Sequence, residues 1–97
     1  MPLYALIGRD KEDGLQYRLD HRPAHLEHMA RLDAEGRIRY GGPLLNESGK
    51  MAGSLIVIEA ENLASAQATF ADDPYVIHGI FENCQILETT PIFPRGN

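Results

Sequence analysis

The sequence predicts an α+β domain in which a four-stranded antiparallel sheet carries two helices on one face. Three observations predict it. Four short apolar runs, too brief for helices, are spread along the chain. Two segments between them place apolar residues at helical spacing. The resulting order, β-α-β-β-α-β, is the split βαβ or ferredoxin-like motif.

The first strand is Leu3 to Ile7, rich in Tyr, Leu and Ile and ended by Gly8. Arg9 to Gly14 is charged, closes on glycine and reads as a loop. Leu15 to Ala34 has helical character, but proline is tolerated in a first helical turn and not in an interior. The spacing therefore predicts a short turn before Pro23 and a main helix from about Pro23 to Glu35, with Leu26, Met29, Ala30 and Leu32 as its apolar stripe and Gly36 as its C′ residue. Arg37 to Leu44 is the second strand and runs into Gly41-Gly42-Pro43; Leu45 to Ala52 is a loop. Gly53 to Ala60 is the third strand, with Leu55, Ile56, Val57 and Ile58 continuous. Asn62 suits the N-cap of a helix running to about Ala71, striped by Leu63, Ala66 and Phe70. Asp72-Asp73-Pro74 stops that helix, and Tyr75 to Gly79 has room for one more turn. Ile80 to Glu88 is the fourth strand, and Thr89 to Asn97, with two prolines, is a tail.

The 97 residues make a single domain, 1–97, of ordinary globular composition, 43% hydrophobic and 24% charged. The net charge of −5 argues against nucleic acid, which needs a clustered basic surface. Arg37 and Arg39 are the nearest thing to one; strand alternation places them on one face, enough for one small anion at most. A single cysteine, Cys84, excludes an intramolecular disulfide, and Met1 to Gly8 lacks the basic start and long apolar core of a signal peptide. No run is long enough to span a membrane. The expectation is a cytoplasmic protein without a membrane or nucleic-acid partner.

The third strand is apolar on both faces, Leu55 and Val57 on one and Ile56 and Ile58 on the other. Two helices cover only one face of a sheet, so the other pair needs a cover as well. A homodimer packed through the open sheet face supplies it, each such side chain contributing roughly 1.5–3 kcal/mol. The alternative cover is the C-terminal tail, but a two-proline segment makes a poor one.

The densest polar cluster is Asp20-His21-Arg22-Pro23-Ala24-His25-Leu26-Glu27-His28. His21, His25 and His28 suggest a metal set, but Pro23 interrupts their register and no carboxylate completes a known ligand pattern, so no metal is expected. His25 aligns with Met29 and Leu32 at i+4 and i+7 and faces the sheet. An inward histidine needs a hydrogen-bond partner, and a carboxylate is the one that would turn it into an acid–base group. A purely structural histidine fits the same pattern. Asp72 and Asp73 stop a helix, and either is able to turn inward toward His25. Gly41-Gly42-Pro43 and Gly53-Ser54 are places for close backbone approach, and Tyr75 and His78 are candidate pocket walls. Cys84 has no base beside it and reads as a small buried hydrophobe.

These stretches resemble the YciI-like (YCII-related) proteins of the dimeric α+β barrel group. The resemblance rests on Arg22-Pro-Ala-His25-Leu, Glu35-Gly-Arg, Gly41-Gly-Pro43, Gly53-Ser54, Asn62-Leu-Ala-Ser-Ala66 and Asp73-Pro-Tyr75-Val, in family order over nearly the whole chain. It implies a ferredoxin-like dimer with sheets packed face to face and a pocket holding a histidine–aspartate pair. Carried onto this sequence, the pair is His25 and Asp73, with Arg22, Gly42, Pro43, Ser54 and Tyr75 near the substrate. His78 stands where the family usually has a small residue, which makes it a candidate for altering the ligand. One member of the family dehydrochlorinates a chlorinated hydroxyquinol, which implies acid–base or lyase chemistry on a small aromatic molecule.

The expected function is a small cofactor-independent enzyme. His25 is its general acid or base, Asp73 fixes the histidine tautomer, and backbone N–H groups near Gly42 and Ser54 stabilise an oxyanion. A small-molecule-binding module without chemistry and a purely structural dimerisation domain are the rivals.

Overall fold

The structure, a computed structural model, describes residues 1–95. Its elements are β1 (Leu3–Asp10), α1 (Gly14–Ala34), β2 (Ile38–Leu45), β3 (Met51–Glu59), α2 (Leu63–Ala71), α3 (Pro74–Ile77) and β4 (Phe81–Thr89). The strands form one antiparallel sheet in the order β2-β3-β1-β4, with the helices on one face, the ferredoxin-like α+β fold that the sequence predicts. The predicted tail includes Gly96 and Asn97, which lie outside the described residues.

Register separates the two faces. Tyr4 pairs with Ile58, and Leu6 with Ile56 and Ile86. Paired residues point the same way, so these form one face, and with Ala60, Ala66 and Phe70 they make the core. Ala5, Ile7, Leu55, Val57 and Leu87 alternate to the opposite face, where Tyr40 of β2 joins them beside Val57. Ile7, Tyr40 and Leu87 are exposed there. Among the described residues of the tail, Ile92 and Phe93 are 75% and 68% exposed rather than buried against that face.

The structure departs from the sequence reading in four places, each with a local cause. β1 runs three residues past Ile7 to Asp10. Gly8 permits this, because a Cβ there would lie 2.7 Å from the Phe81 ring. The loop between β2 and β3 is only Asn46 to Lys50, since the Asn46 side chain accepts from the N–H groups of Ser48 and Lys50 and Gly49 takes φ +78°. The register shift between Ile38 and Tyr40 makes Arg39 an extra residue and breaks the alternation assumed for the arginines. Arg37 reaches Thr69 on α2, Arg39 pairs with Glu59, and the two form no joint anion site.

The fourth departure is the largest. α1 is one helix of 21 residues with Pro23 inside it. An interior proline costs about 3 kcal/mol in a helix. Polar anchors on both sides of Pro23 offset that cost. Before it, Arg18 gives the Asp10 carboxylate two hydrogen bonds, of 2.6 and 3.0 Å, and Ser54 Oγ one of 2.8 Å. After it, His25 is held by Asp73. The stripe shifts accordingly: Leu26 and Ala30 are exposed, whereas Gly14, Arg18, His28 and Leu32 are buried. Among the described residues, no helix is long and apolar enough to cross a membrane.

Arg18 and Asp10 have side chains only 3% and 4% exposed, so removing one partner strands the other charge. Asp10→Ala is expected to lower unfolding stability in urea by about 3–5 kcal/mol. Adding Arg18→Met to it should recover most of that loss; equal stability of the single and double variants would contradict a buried ion pair.

Candidate active site

A cavity of about 290 Å³ lies between α1 and the helix-facing side of β2 and β3. α1 contributes Arg18, Arg22, His25, Leu26 and Met29 to its wall, and the facing strands contribute Gly41, Gly42, Pro43 and Ser54. Gly41 opens the space: a Cβ there would lie 3.0 Å from the Met29 side chain. The volume is at the small end of ordinary ligand sites, about 300–1,000 Å³, and is ample for one substituted ring.

The local sequence at Asp73-Pro74-Tyr75 explains how a carboxylate arrives here. Pro74 biases Asp73 to extended backbone, at φ −68° and ψ 126°, which is N-cap geometry. The Asp73 Oδ1 accepts the Tyr75 N–H at 2.9 Å and starts α3. The same oxygen lies 2.8 Å from His25 Nδ1. Asp73 is 1% exposed, whereas Asp72 is exposed and makes no such contact. An ionised carboxylate only accepts, so a neutral His25 beside it donates from Nδ1 and keeps the lone pair on Nε2. Among the described residues, Nε2 has no hydrogen-bond partner, and His25 borders the cavity.

Tyr75 fixes the other dimension of the imidazole. Its ring stacks on that of His25 with centroids 3.9 Å apart and planes within 5°. Its hydroxyl donates to the Arg18 carbonyl at 3.3 Å, and the Arg18 guanidinium stands 5.1 Å from the ring centroid. Burial pushes the Tyr75 phenol above its ordinary value against the opposing pull of Arg18 and Arg22, so the ring faces His25 as a neutral phenol.

Arg22, Gly42, Pro43, Ser54 and Tyr75 all border the cavity, with Asp73 behind His25. His78 does not. It follows the last residue of α3, is exposed, and stacks on His21 with centroids 3.7 Å apart, outside the cavity wall. His21, His25 and His28 diverge, the first onto His78, the second onto Asp73 and the third into the buried side of α1. Cys84 is exposed rather than buried, because β4 is an edge strand and its neighbour in register is Gly8, which has no side chain to cover it. Partial desolvation and the Asp73 charge raise its thiol pKa, which disfavours a thiolate. Of the expected oxyanion donors, Ser54 lies in a central strand paired on both sides, and its hydroxyl accepts the Arg18 bond while keeping its own proton; Gly42 lies on the edge strand β2 at the wall. The cations at the cavity are Arg18 and Arg22.

Arg18 and Asp10 are the residues that sequence reasoning missed. The signal for Arg18 is the spacing of Arg18, Arg22, His25, Met29 and Leu32 at i, i+4, i+7, i+11 and i+14, a single helical stripe visible once the helix is allowed through Pro23.

Residues 2–90 match the sequence model of the YCII-related domain. Protein YciI of Escherichia coli O6:H1 is 37% identical over 97 aligned positions, covering 94% of this chain and 99% of that protein. An uncharacterized protein of Haemophilus influenzae is 30% identical, covering 93% and 98%. Among solved structures, the 5-chloro-2-hydroxyhydroquinone dehydrochlorinase TftG of Burkholderia phenoliruptrix AC1100, in complex with 2,5-dihydroxybenzoquinone, superposes with a TM-score of 0.81 at 28% identity, covering 91% of this chain and 93% of that one. By the span of the domain match and the identity to YciI, this chain belongs to the YCII-related family.

Proposed function

We propose that the protein is a cofactor-independent acid–base enzyme that carries out an elimination on a small ring-shaped molecule. The observation that carries this reading is the 2.8 Å contact between His25 Nδ1 and a nearly inaccessible Asp73, at the wall of a cavity of single-ring size. In the keto tautomer of a chlorinated hydroxyquinol, His25 Nε2 takes a proton from the saturated ring carbon beside the C–Cl carbon. The electrons of that C–H bond form a new double bond, and the leaving group departs with the electrons of its own bond. Asp73 stabilises the imidazolium and holds its tautomer, as a carboxylate does in a catalytic triad. Tyr75, flat against the ring, keeps the imidazole plane fixed. Arg18 and Arg22 stabilise negative charge on a substrate oxygen. TftG, a dehydrochlorinase with a ring-shaped quinone bound, supports a reaction of this type on a molecule of this size.

The protein works as a homodimer in this reading. Leu55 and Val57 are half-buried in the single chain, and Ile7, Tyr40 and Leu87 are exposed on the same helix-free face. A contiguous apolar sheet face of this kind is characteristic of an interface, and a second copy of the same face is its natural cover.

With a chlorinated hydroxyquinol as substrate and chloride release as the assay, His25→Ala is expected to lower kcat by about 10²–10⁴-fold. Asp73→Asn should lower it by about 10²-fold or more, with the fold intact by circular dichroism. Unchanged turnover in both variants would end the dyad reading, and ligand binding without turnover in the wild type would favour the binding module. Val57→Asp should convert a dimer to a monomer in analytical ultracentrifugation at micromolar concentration; a wild type already monomeric there would remove the dimer.

A further inference from the structure

The charges around the cavity are one-sided. The chain has 14 acidic and 9 basic residues, yet the charged side chains on the wall are Arg18 and Arg22, joined by the titratable His25, and no Asp or Glu borders it. The nearby carboxylates are committed behind the wall, Asp10 to Arg18 and Asp73 to His25. Arg18 is 2% exposed, a buried cation whose Nε and Nη2 bind Asp10 and Ser54. Its Nη1 has no protein hydrogen-bond partner among the described residues, although Arg18 borders the cavity. Arg22 is exposed at the cavity and has no carboxylate within salt-bridge distance among the described residues. A nearly enclosed cation with spare donors and a second, uncompensated cation beside it favour a negative occupant strongly, because the low local dielectric magnifies each interaction.

We propose that the ligand of this cavity enters as a planar, charge-delocalised oxyanion, an ionised acidic enol, phenol or aryl carboxylate, and that Arg22 selects it over neutral ring compounds. Arg18 is the positioning residue: its two bonds to Asp10 fix the guanidinium, and Nη1 faces the ligand's charge. The cavity volume of about 290 Å³ accommodates a single ring with its charged substituent. Arg22 sits one helical turn before His25, so the group that reads the charge and the group that moves the proton act on the same ring. The proposal rests on the reading of the cavity as a ligand site, but not on turnover there.

The test is calorimetric titration of the purified full chain at neutral pH with three probes. 2,5-Dihydroxybenzoquinone and benzoate are anions at that pH, and hydroquinone is neutral. At least one anion should bind about tenfold or more tightly than hydroquinone, and raising the salt should weaken the anion alone. Arg22→Gln, at an exposed position that leaves the fold intact, should cost the anion about tenfold in affinity and leave hydroquinone unchanged, and Arg22→Lys should lose less. Which anion binds separates enolate from carboxylate recognition. Equal binding of hydroquinone, no effect of Arg22→Gln, or failure of both anions to bind would each overturn the proposal. The proposed reaction fails separately: anion selectivity with turnover indifferent to His25→Ala would keep the charge selection and discard the enzyme, and the reverse result would do the opposite.

Discussion

One carboxylate oxygen joins the parts of this molecule that matter for function. Asp73 Oδ1 accepts from the Tyr75 backbone, which starts α3, and from the His25 ring, which belongs to α1. A residue just past the end of α2 that caps α3 thus also ties α3 to the long helix behind the cavity wall. The Tyr75 ring that follows closes on His25 from its face, so the imidazole is held in its plane by stacking and about its axis by the carboxylate. Displacing Asp73 would release the cap, the histidine and the tyrosine together, which makes their geometry cooperative rather than a sum of separate contacts.

The second constraint is the Arg18–Asp10 pair. It lies where β1 ends and α1 begins, so it fixes the angle at which the long helix leaves the sheet. Its third bond, to Ser54 on β3, carries the helix over the neighbouring strand and leaves the cavity beneath it. Neutralising one charge with the other makes a buried arginine tolerable. The same arrangement leaves the cavity wall cationic, because the balancing carboxylate faces away from the open space.

The fold was legible because its signals are local and redundant. The strand runs, the Asn62 cap and the glycines that close turns each name an element, and the element order admits few topologies. The position of His25 on the sheet side followed from its spacing to Met29 and Leu32. What the sequence did not yield depended on partners far apart along the chain. Asp73 and Asp72 are indistinguishable by spacing, and only the N-cap geometry set by Pro74 brings the former inward. Propensity makes Pro23 a helix boundary; the anchors that override it, Asp10 with Arg18 and Asp73 with His25, lie 8 and 48 residues apart in sequence. A helix begun at Pro23 leaves Arg18 outside it and puts Leu26 and Ala30 on the stripe. His78 is a candidate pocket wall by sequence, at a position where the family usually has a small residue, but the turn of α3 carries it to His21.

The most direct test of the central claim is the tautomer of His25, read from long-range proton–nitrogen NMR correlations of the four histidine rings at alkaline pH, where imidazoles are neutral. A free neutral imidazole prefers the proton on Nε2. The Asp73 contact predicts the opposite for one ring, a proton on Nδ1 and a bare Nε2, with the signal lost in His25→Ala. A His25 ring protonated on Nε2, or mixed like a free side chain, would show that Asp73 does not hold it and that no base faces the cavity.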